Sequence, residues 1–565
     1  MTDIMKNGLS RRAFLGLGAT AAVAAGAGLA GCSPAASAGD VKAGGDAAGS
    51  AAAGGETQYA WEVVPDPITD VTSTVDTDIL VIGAGLAGCA CAAAAAEKGG
   101  KVTVVEKTSS WNGRGGGFGA INSHYMDELG IEVDKVNAKQ HWIAQCASRA
   151  NEDLIVKFFN SSEEASNWLL AKAEAVGGSA MVGAFYSHDD VYAEQPGYHM
   201  LMIPEEAGLT STGFAGAELC YNDAVKDGAE FVFDSPAVQL VKDDTKVTGC
   251  ICEGKDGYVQ YNASKGVVLC TGDIGGDLEM CKAYAPICAE YGQPRSQYTP
   301  VGVNTGDGHK MAMWAGAVME DGPYAPMTHS LGTNSVGIDP FLMVNQDGKR
   351  FANEDVGAQE LQNAIKRQKG GVSYQIFDSK WKEQLSAMPQ CFGGVTHYIP
   401  PEQEAEYEHA INHFAAGYAS DTYFQGEIEQ GSIIPADSIE ELAKAVNIPA
   451  DALVETVERY NELAHAGKDA DFSKVSTRLF PVENPPYYAV PFGDSGMLVL
   501  IGGIDCDVDC RALDAEKNPV PGLFVAGNTM GGRFLVDYPV TVAGASHSMA
   551  MSFGRLAGRK AAEGK

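Results

Sequence analysis

The chain has 565 residues, room for two or three domains, and its 45% hydrophobic and 20% charged residues are those of a folded globular protein. A formal net charge of −33 argues against a nucleic-acid binder, which needs a basic footprint, and gives anionic ligands no long-range steering. The 13 cysteines include no CxxC, no CxxCH and no paired metal spacing, so a c-type haem or a zinc ribbon is not expected; Cys89, Cys91, Cys270 and Cys281 stand in apolar or Gly-rich company and read as small core residues.

The chain opens on a targeting pattern. SRRAFLG, Ser10 to Gly16, sets Arg11 and Arg12 before an apolar run, Leu15 to Leu29, in the layout of a twin-arginine export signal. The run is too short and too rich in Ala and Gly to span a membrane. It ends in LAGC, Leu29 to Cys32, a lipobox-like sequence. Residues 1–32 are therefore expected to be a signal whose removal leaves a lipid on Cys32, tethering the protein to the outer side of the bacterial cytoplasmic membrane. Residues 33–71 come next as a flexible linker and lead-in, almost wholly Ala, Gly and Ser as far as Gln58, with too little apolar surface to fold.

Asp76 to Lys107 carries the most specific motif. An apolar strand, Ile79 to Ile82, runs into Gly83-Ala84-Gly85-Leu86-Ala87-Gly88, then a helix of small residues to about Lys98, then a strand from Lys101 to Val105 that ends in Glu106. Gly83 suits a tight turn, Gly85 a pyrophosphate close to the backbone, and Gly88 close packing of helix on strand. The helix N-terminus offers unpaired N–H groups to phosphates, and Glu106 can accept from an adenosine ribose. The pattern predicts a dinucleotide site.

The segments after Glu106 separate the cofactors. Thr108 to Ser123, TSSWNGRGGGFGAINS, is a second glycine loop where a nicotinamide enzyme usually continues with another strand. Tyr261 to Gly276 is an apolar strand ending in Thr271-Gly272; Val303 to Ala317, which contains the candidate cofactor contact Asp307, is a turn opening a helix; Pro521 to Gly532 is a strand running into Gly527-Asn528. In this order the segments resemble the flavoprotein superfamily of fumarate reductases and succinate dehydrogenases, over about residues 72 to 565. The resemblance implies an α/β fold: a Rossmann-like FAD-binding domain, 72–319 and 485–565, with an inserted α+β capping domain, 320–484. It implies FAD contacts from Lys107, from Arg114, Gly115, Gly116, Gly117, Gly119 and Ala120, and from Ala543, Gly544, Ala545 and Ser546, where a last helix is expected to start and run to about Ala557. Covalent members place a His in the second glycine loop. Asn112 to Ala120 holds none, which implies noncovalent FAD.

The dicarboxylate machinery of that superfamily is missing. Asn334 and Gly337 stand where a relay's Glu and Arg are expected. Asp355-Val356-Gly357-Ala358 comes after the RFANE strand in place of an acid arginine. LVLIGG, Leu498 to Gly503, has no histidine. Two carboxylates buried there would lack partners, at a cost of roughly several kcal/mol. The stretch Gly527 to His547, with Gly-Asn-Thr followed by Tyr538-Pro539, resembles instead the 3-ketosteroid Δ1-dehydrogenases, where the tyrosine hydroxyl polarises a ketone; it departs from them in running two residues longer before the final helix.

A phenol suits a neutral carbonyl oxygen better than a carboxylate pair. Tyr538 is thus the expected substrate-binding hydroxyl, against the alternative that it packs the loop over FAD. Arg533, Tyr324, His329 and Tyr125 are candidate proton donors, each also readable as packing. Gly183 to Met200, rich in Tyr and His without alternation, reads as a surface loop or a substrate entrance. The expectation is an exported FAD reductase of an alkene conjugated to a carbonyl or aromatic group. Its electrons would come from an external donor, a membrane cytochrome or a quinol-linked partner. The rival readings are the reverse desaturation of a ketone and a non-catalytic electron carrier or ligand-binding lipoprotein.

Overall fold

The computed structural model describes residues 59–113, 117–183, 187–188, 193–210, 215–286, 302–329, 332–403, 413–414, 417–493 and 497–564. The expected signal, Cys32 and most of the linker lie outside the described residues, as do Arg114, Gly115 and Gly116. The chain divides into two units, Met1–Pro67 and Ile68–Lys565. The described part of the first is a single helical turn, Ala60–Glu62, with Tyr59 stacked on Trp61.

Seven elements of the second unit build the layer that matters for function: β1 (Val71–Ile82), α1 (Leu86–Ala96), β2 (Val102–Val105), β3 (Glu230–Val232), β4 (Gly257–Leu269), β5 (Pro519–Val525) and α2 (Ala545–Glu563). The strands lie in the order β3-β2-β1-β4-β5, all parallel. Arg511–Leu513 pairs antiparallel outside β5, and the antiparallel strands Val247–Gly254 and Ala237–Lys242 extend from β4. The buried run Ile79–Ile82 is apolar at every position, as a strand covered on both faces requires. Ile82 is in register with Val105 and with Leu269, and Leu269 with Val525. Four strands therefore stop level, and the chain leaves each on the same edge. That edge is the crevice at which open parallel sheets bind ligands.

α1 is buried along almost its whole length. Its alanines and cysteines let α2 approach closely: a Cβ on Gly554 would stand 2.3 Å from the Ala87 carbonyl oxygen, and one on Gly558 2.2 Å from that of Cys91. α2 runs past the expected stop at Ala557 to Glu563. Gly558 is a contact glycine inside the helix, and the residue that ends it is Gly564, in the left-handed region at φ 67°.

A four-stranded sheet of Leu342–Asn345, Ser373–Asp378, Tyr487–Phe492 and Ile434–Ala436 is antiparallel throughout. The two apolar clusters built on it are drawn from residues 336–492, with no buried member from β1–β5. Beside them lies a buried ionic network. Arg350 bonds Glu354 and Asp469 at 2.7 Å each, Arg478 bonds Asp355 at 2.8 Å, and Lys474 donates to the Tyr460 hydroxyl at 2.8 Å. The segment RFANE, Arg350 to Glu354, is not the expected strand: it makes a single bridge, Val344 to Arg350, and its two charges bond each other.

The described end of the segment Gly183 to Met200 differs from the surface-loop expectation. Tyr198–Met202 is a strand between Ser179–Gly183 and Gly117–Gly119. Its alternation is hidden because a buried histidine, His199, fills an inward position; the ring bonds the Ser123 hydroxyl at 2.7 Å and the Gly197 carbonyl at 2.6 Å.

Candidate functional site

The strand ends open into a cleft of about 1180 Å³, solvent mouth included. Gly83 takes φ 100°, and a Cβ there would stand 2.4 Å from the Cys270 carbonyl oxygen. A Cβ on Gly88 would stand 1.9 Å from the Gly83 carbonyl oxygen. Gly85 is different. Its φ is ordinary, and a Cβ would meet no protein atom nearer than 3.7 Å, so packing does not require the glycine. What it keeps open is the cleft it lines. α1 begins there without a side-chain cap, leaving its first N–H groups for an anion. A pyrophosphate fits this corner on both counts.

Glu106 sits at the adjoining strand end. One carboxylate oxygen accepts from Ala84 N–H at 2.8 Å, the other from the N–H and hydroxyl of Thr108, each at 2.8 Å. Lys107 spans to Thr305 at 3.0 Å and to Asp307 at 2.9 Å, closing the cleft beside Glu106, where a ribose is expected. Thr529 braces the middle: its hydroxyl accepts from Thr271 N–H at 2.8 Å and donates to the Gly272 carbonyl at 3.2 Å.

Of the residues expected to contact FAD, Gly83, Gly85, Leu86, Ala87, Glu106, Lys107, Thr271, Gly272, Asp307, Gly527, Asn528 and Ser546 line the cleft. Ala84 and Gly88 act one step back, Ala84 through its N–H on Glu106 and Gly88 through its approach to Gly83. Gly117, Gly119 and Ala120 lie against the start of α2 and the neighbouring strand: Gly119 N–H donates to the Gly544 carbonyl at 3.0 Å and Ala120 N–H to that of Gly197 at 2.8 Å. Ala543, Gly544 and Ala545 form the turn into α2, Gly544 at φ 77°. The cleft also takes Asn112, Asn304, Met327, Val499 and His547, which the sequence reading missed. His547 directly succeeds a residue that reading chose, so helical geometry at Ser546 was the available signal.

Tyr538 is buried and, like Arg533 and His329, stands outside the cleft lining; its hydroxyl accepts from the N–H of Ser546, a lining residue on the first turn of α2, at 3.4 Å. Its ring packs on Phe534 at 5.2 Å and on His329 at 5.7 Å. Burial lowers the His329 pKa to about 4, so the ring is neutral at ordinary pH. Arg533 is 1% exposed and donates to the Met530 carbonyl and the Asn528 amide oxygen, each at 3.2 Å. Burial lowers its pKa to about 10, with the Glu320 carboxyl opposing the shift. Glu320, in turn, accepts from Gly532 N–H at 2.6 Å and Gly503 N–H at 3.1 Å, and burial pushes it up to about 7.

The structure ties Tyr324 and Tyr125 to other partners. The Tyr324 hydroxyl donates to the Glu320 carbonyl at 2.7 Å while its ring stacks on Tyr284. Tyr125 stands by Glu174 and outside the cleft lining, its hydroxyl pushed up to about 12 by burial and that carboxylate.

Three acids around the Tyr538 loop, Glu194 buried and Asp537 and Glu360 half-buried, also escaped the sequence reading. Asp537 accepts from the Gln359 amide at 3.0 Å, Glu360 from that of Gln145 at 2.8 Å, and Glu194 from Phe392 N–H at 2.7 Å. Burial raises all three, Glu194 to about 8. They come from three distant segments, so no spacing announced them.

The model of the FAD-binding domain family matches residues 78–538. The chain is 26% identical to the fumarate reductase (cytochrome) of Shewanella frigidimarina, over 86% of this chain and 77% of that protein. It is also 26% identical to the urocanate reductase of Eggerthella lenta, over 86% and 75%. Its fold matches the crystal structure of a 3-ketosteroid Δ4-(5α)-dehydrogenase from Rhodococcus jostii with a TM-score of 0.66 at 24% identity, covering 88% of this chain and 100% of that one. The expected superfamily, α/β fold and cofactor are borne out. A parallel sheet whose strand ends make a dinucleotide cleft, and a family model spanning most of the chain, lead to one conclusion: the protein belongs to the FAD-binding domain family and is an FAD-dependent oxidoreductase.

Proposed function

We propose that this oxidoreductase reduces a carbon–carbon double bond conjugated to a carbonyl or aromatic group, on a substrate that is not a dicarboxylate. The observation that carries this is Tyr538, its phenol oxygen set against the N-terminus of α2 beside the cleft. FAD, held noncovalently in this reading by the strand-end cleft, supplies hydride when bound and reduced.

Tyr538 donates to the substrate oxygen and bears the enolate-like charge that grows there; an oxygen that already accepts a hydrogen bond donates more strongly, and the helix end carries partial positive charge. Arg533 adds a buried cation behind the Gly527–Thr529 turn. A cap group or a water protonates the neighbouring carbon. His329 is the ionisable ring packed on Tyr538.

In this reading residues 72–319 and 485–565 hold the cofactor and 320–484 cap it, excluding water when the substrate is in place. The Arg11-Arg12 signal and Cys32 support export and a lipid tether, and no helix among the described residues is long and apolar enough to cross a membrane. Electrons then come from outside the chain. The cytochrome fumarate reductase among its relatives supports a haem-bearing donor, and a quinol-linked one serves equally.

The test is reoxidation of dithionite-reduced holoprotein under anaerobic conditions. Enones and aryl-conjugated alkenes should reoxidise it and fumarate should not, and Tyr538→Phe should slow the productive acceptor by about 10²–10³ with the flavin retained. If saturated ketones bleach the oxidised protein and no alkene reoxidises the reduced one, desaturation replaces this reading. If neither class reacts, an electron-carrier role replaces it.

A further inference from the structure

His547 stands on the first turn of α2 and lines the cofactor cleft, yet the hydride chemistry makes no use of it. Its Nδ1 lies 2.9 Å from the carbonyl oxygen of Gly117. A carbonyl only accepts, so Nδ1 carries the hydrogen, and the neutral ring keeps a lone pair on Nε2. The direction of α2 fixes where along the cleft this lone pair is. Ser546 meets Tyr538 at the reacting end, while Gly554 packs on Ala87 at the phosphate turn. His547 therefore belongs to the reacting half, away from the ribose end closed by Glu106 and Lys107.

A histidine held in this way charges in place. A proton added at Nε2 breaks no bond and strengthens the one to Gly117. Burial otherwise favours the neutral ring and lowers its pKa.

Among the described residues, the charged groups on the surrounding elements are engaged elsewhere. Glu106 accepts from Ala84 and Thr108, Lys107 pairs with Asp307, and Arg533 bonds Asn528. His199, on the strand beside Gly117–Gly119, bonds Ser123 and Gly197, and the first turn of α2 has no acid. Among the described residues no acid bonds His547, and the negative charge proposed to reach it is the one that arrives with electrons on the cofactor.

We propose that His547 takes up a proton at Nε2 as the bound FAD is reduced, making reduction proton-coupled and raising the cofactor's potential. Two electrons from an external reductant enter with one proton on the flavin ring, and a second proton, from water, bonds to Nε2; reoxidation returns it. The proposal rests on FAD binding and, for the placement of His547, on Tyr538 marking the reacting end; it needs no particular substrate, so its failure leaves the acceptor test untouched.

Spectroelectrochemical titration of FAD-loaded wild type, His547→Gln and His547→Leu between about pH 6 and about pH 8 tests it. Both variants should favour the reduced cofactor about ten-fold less, a midpoint lower by about 30 mV for a two-electron couple, with a shallower pH dependence than wild type. Unchanged midpoint and slope would overturn the proposal. So would weakened FAD binding at an unchanged midpoint, which would put the ring on a phosphate. If neither variant holds FAD, proton uptake by the wild type during electrochemical reduction decides, read with an indicator dye: about two protons with the absorption of an N1-deprotonated reduced flavin supports the proposal, and about one overturns it.

Discussion

Burial governs the ionisation of single residues around the cleft, and the signs are testable. Glu194, pushed up to about 8, holds its proton in the folded protein over a range where an unfolded chain has lost it. Between about pH 4.3 and 8 the native state therefore binds more protons, and stability present in acid falls as pH rises through that window. His199, His309 and His329, each lowered to about 4, work the other way: the unfolded chain binds more protons below about pH 6.5, so stability is lost as pH falls there. The two effects separate above about pH 6.5, where the histidines are neutral in both states. Glu194→Gln, whose amide oxygen can still accept from Phe392 N–H, should flatten the decline in thermal midpoint between about pH 6.5 and 8. One group contributes at most about 1.4 kcal/mol per pH unit. Parallel wild-type and variant profiles would show that Glu194 does not hold its proton.

At the scale of elements, the three glycines of the first turn do separable work, and a pair of substitutions exposes it. Gly85→Val adds a side chain where no protein atom lies within 3.7 Å of the Cβ and where φ is ordinary, so the protein should fold and lose its yellow colour. Gly88→Val drives a Cβ into the Gly83 carbonyl oxygen at 1.9 Å, so it should fail earlier, in folding. A Gly85→Val protein that purifies with full FAD would refute the assignment of that corner to the pyrophosphate.

The same turn shows why this element was legible in sequence. Each constraint on it is local, and a strand, three glycines, a helix and an acid state it within about thirty residues. The strand Tyr198–Met202 was not legible. Its inward His199 is satisfied by Ser123 and by the Gly197 carbonyl, a pairing no hydrophobic pattern encodes. The end of α2 was misread for a related reason, since a contact glycine and a terminating glycine are the same letter. Glu320, Glu194 and Glu360 were invisible because their partners lie on segments far away in sequence.

At the scale of the whole chain, the cleft joins parts that the sequence holds far apart. Ala526 N–H donates to the Leu269 carbonyl at 3.0 Å, the Thr529 hydroxyl accepts from Thr271 N–H, and Gly554 rests on Ala87. The first and last stretches of the FAD-binding layer thus form one wall, and a ligand across it contacts both. An unfolded chain offers no such wall, so FAD binds the native state alone and must stabilise it. With free FAD at about a hundred times the dissociation constant the gain is about 2.7 kcal/mol, and at a thousand times about 4.1 kcal/mol. The unfolding midpoint of protein stripped of flavin should therefore rise steadily with the logarithm of added FAD. Gly85→Val, which keeps the wall but fills the space before it, should show a midpoint that does not move. A flat response in the wild type would mean that the strand-end cleft is not where the cofactor is held; a matching rise in the variant would mean that FAD reaches the fold without passing Gly85.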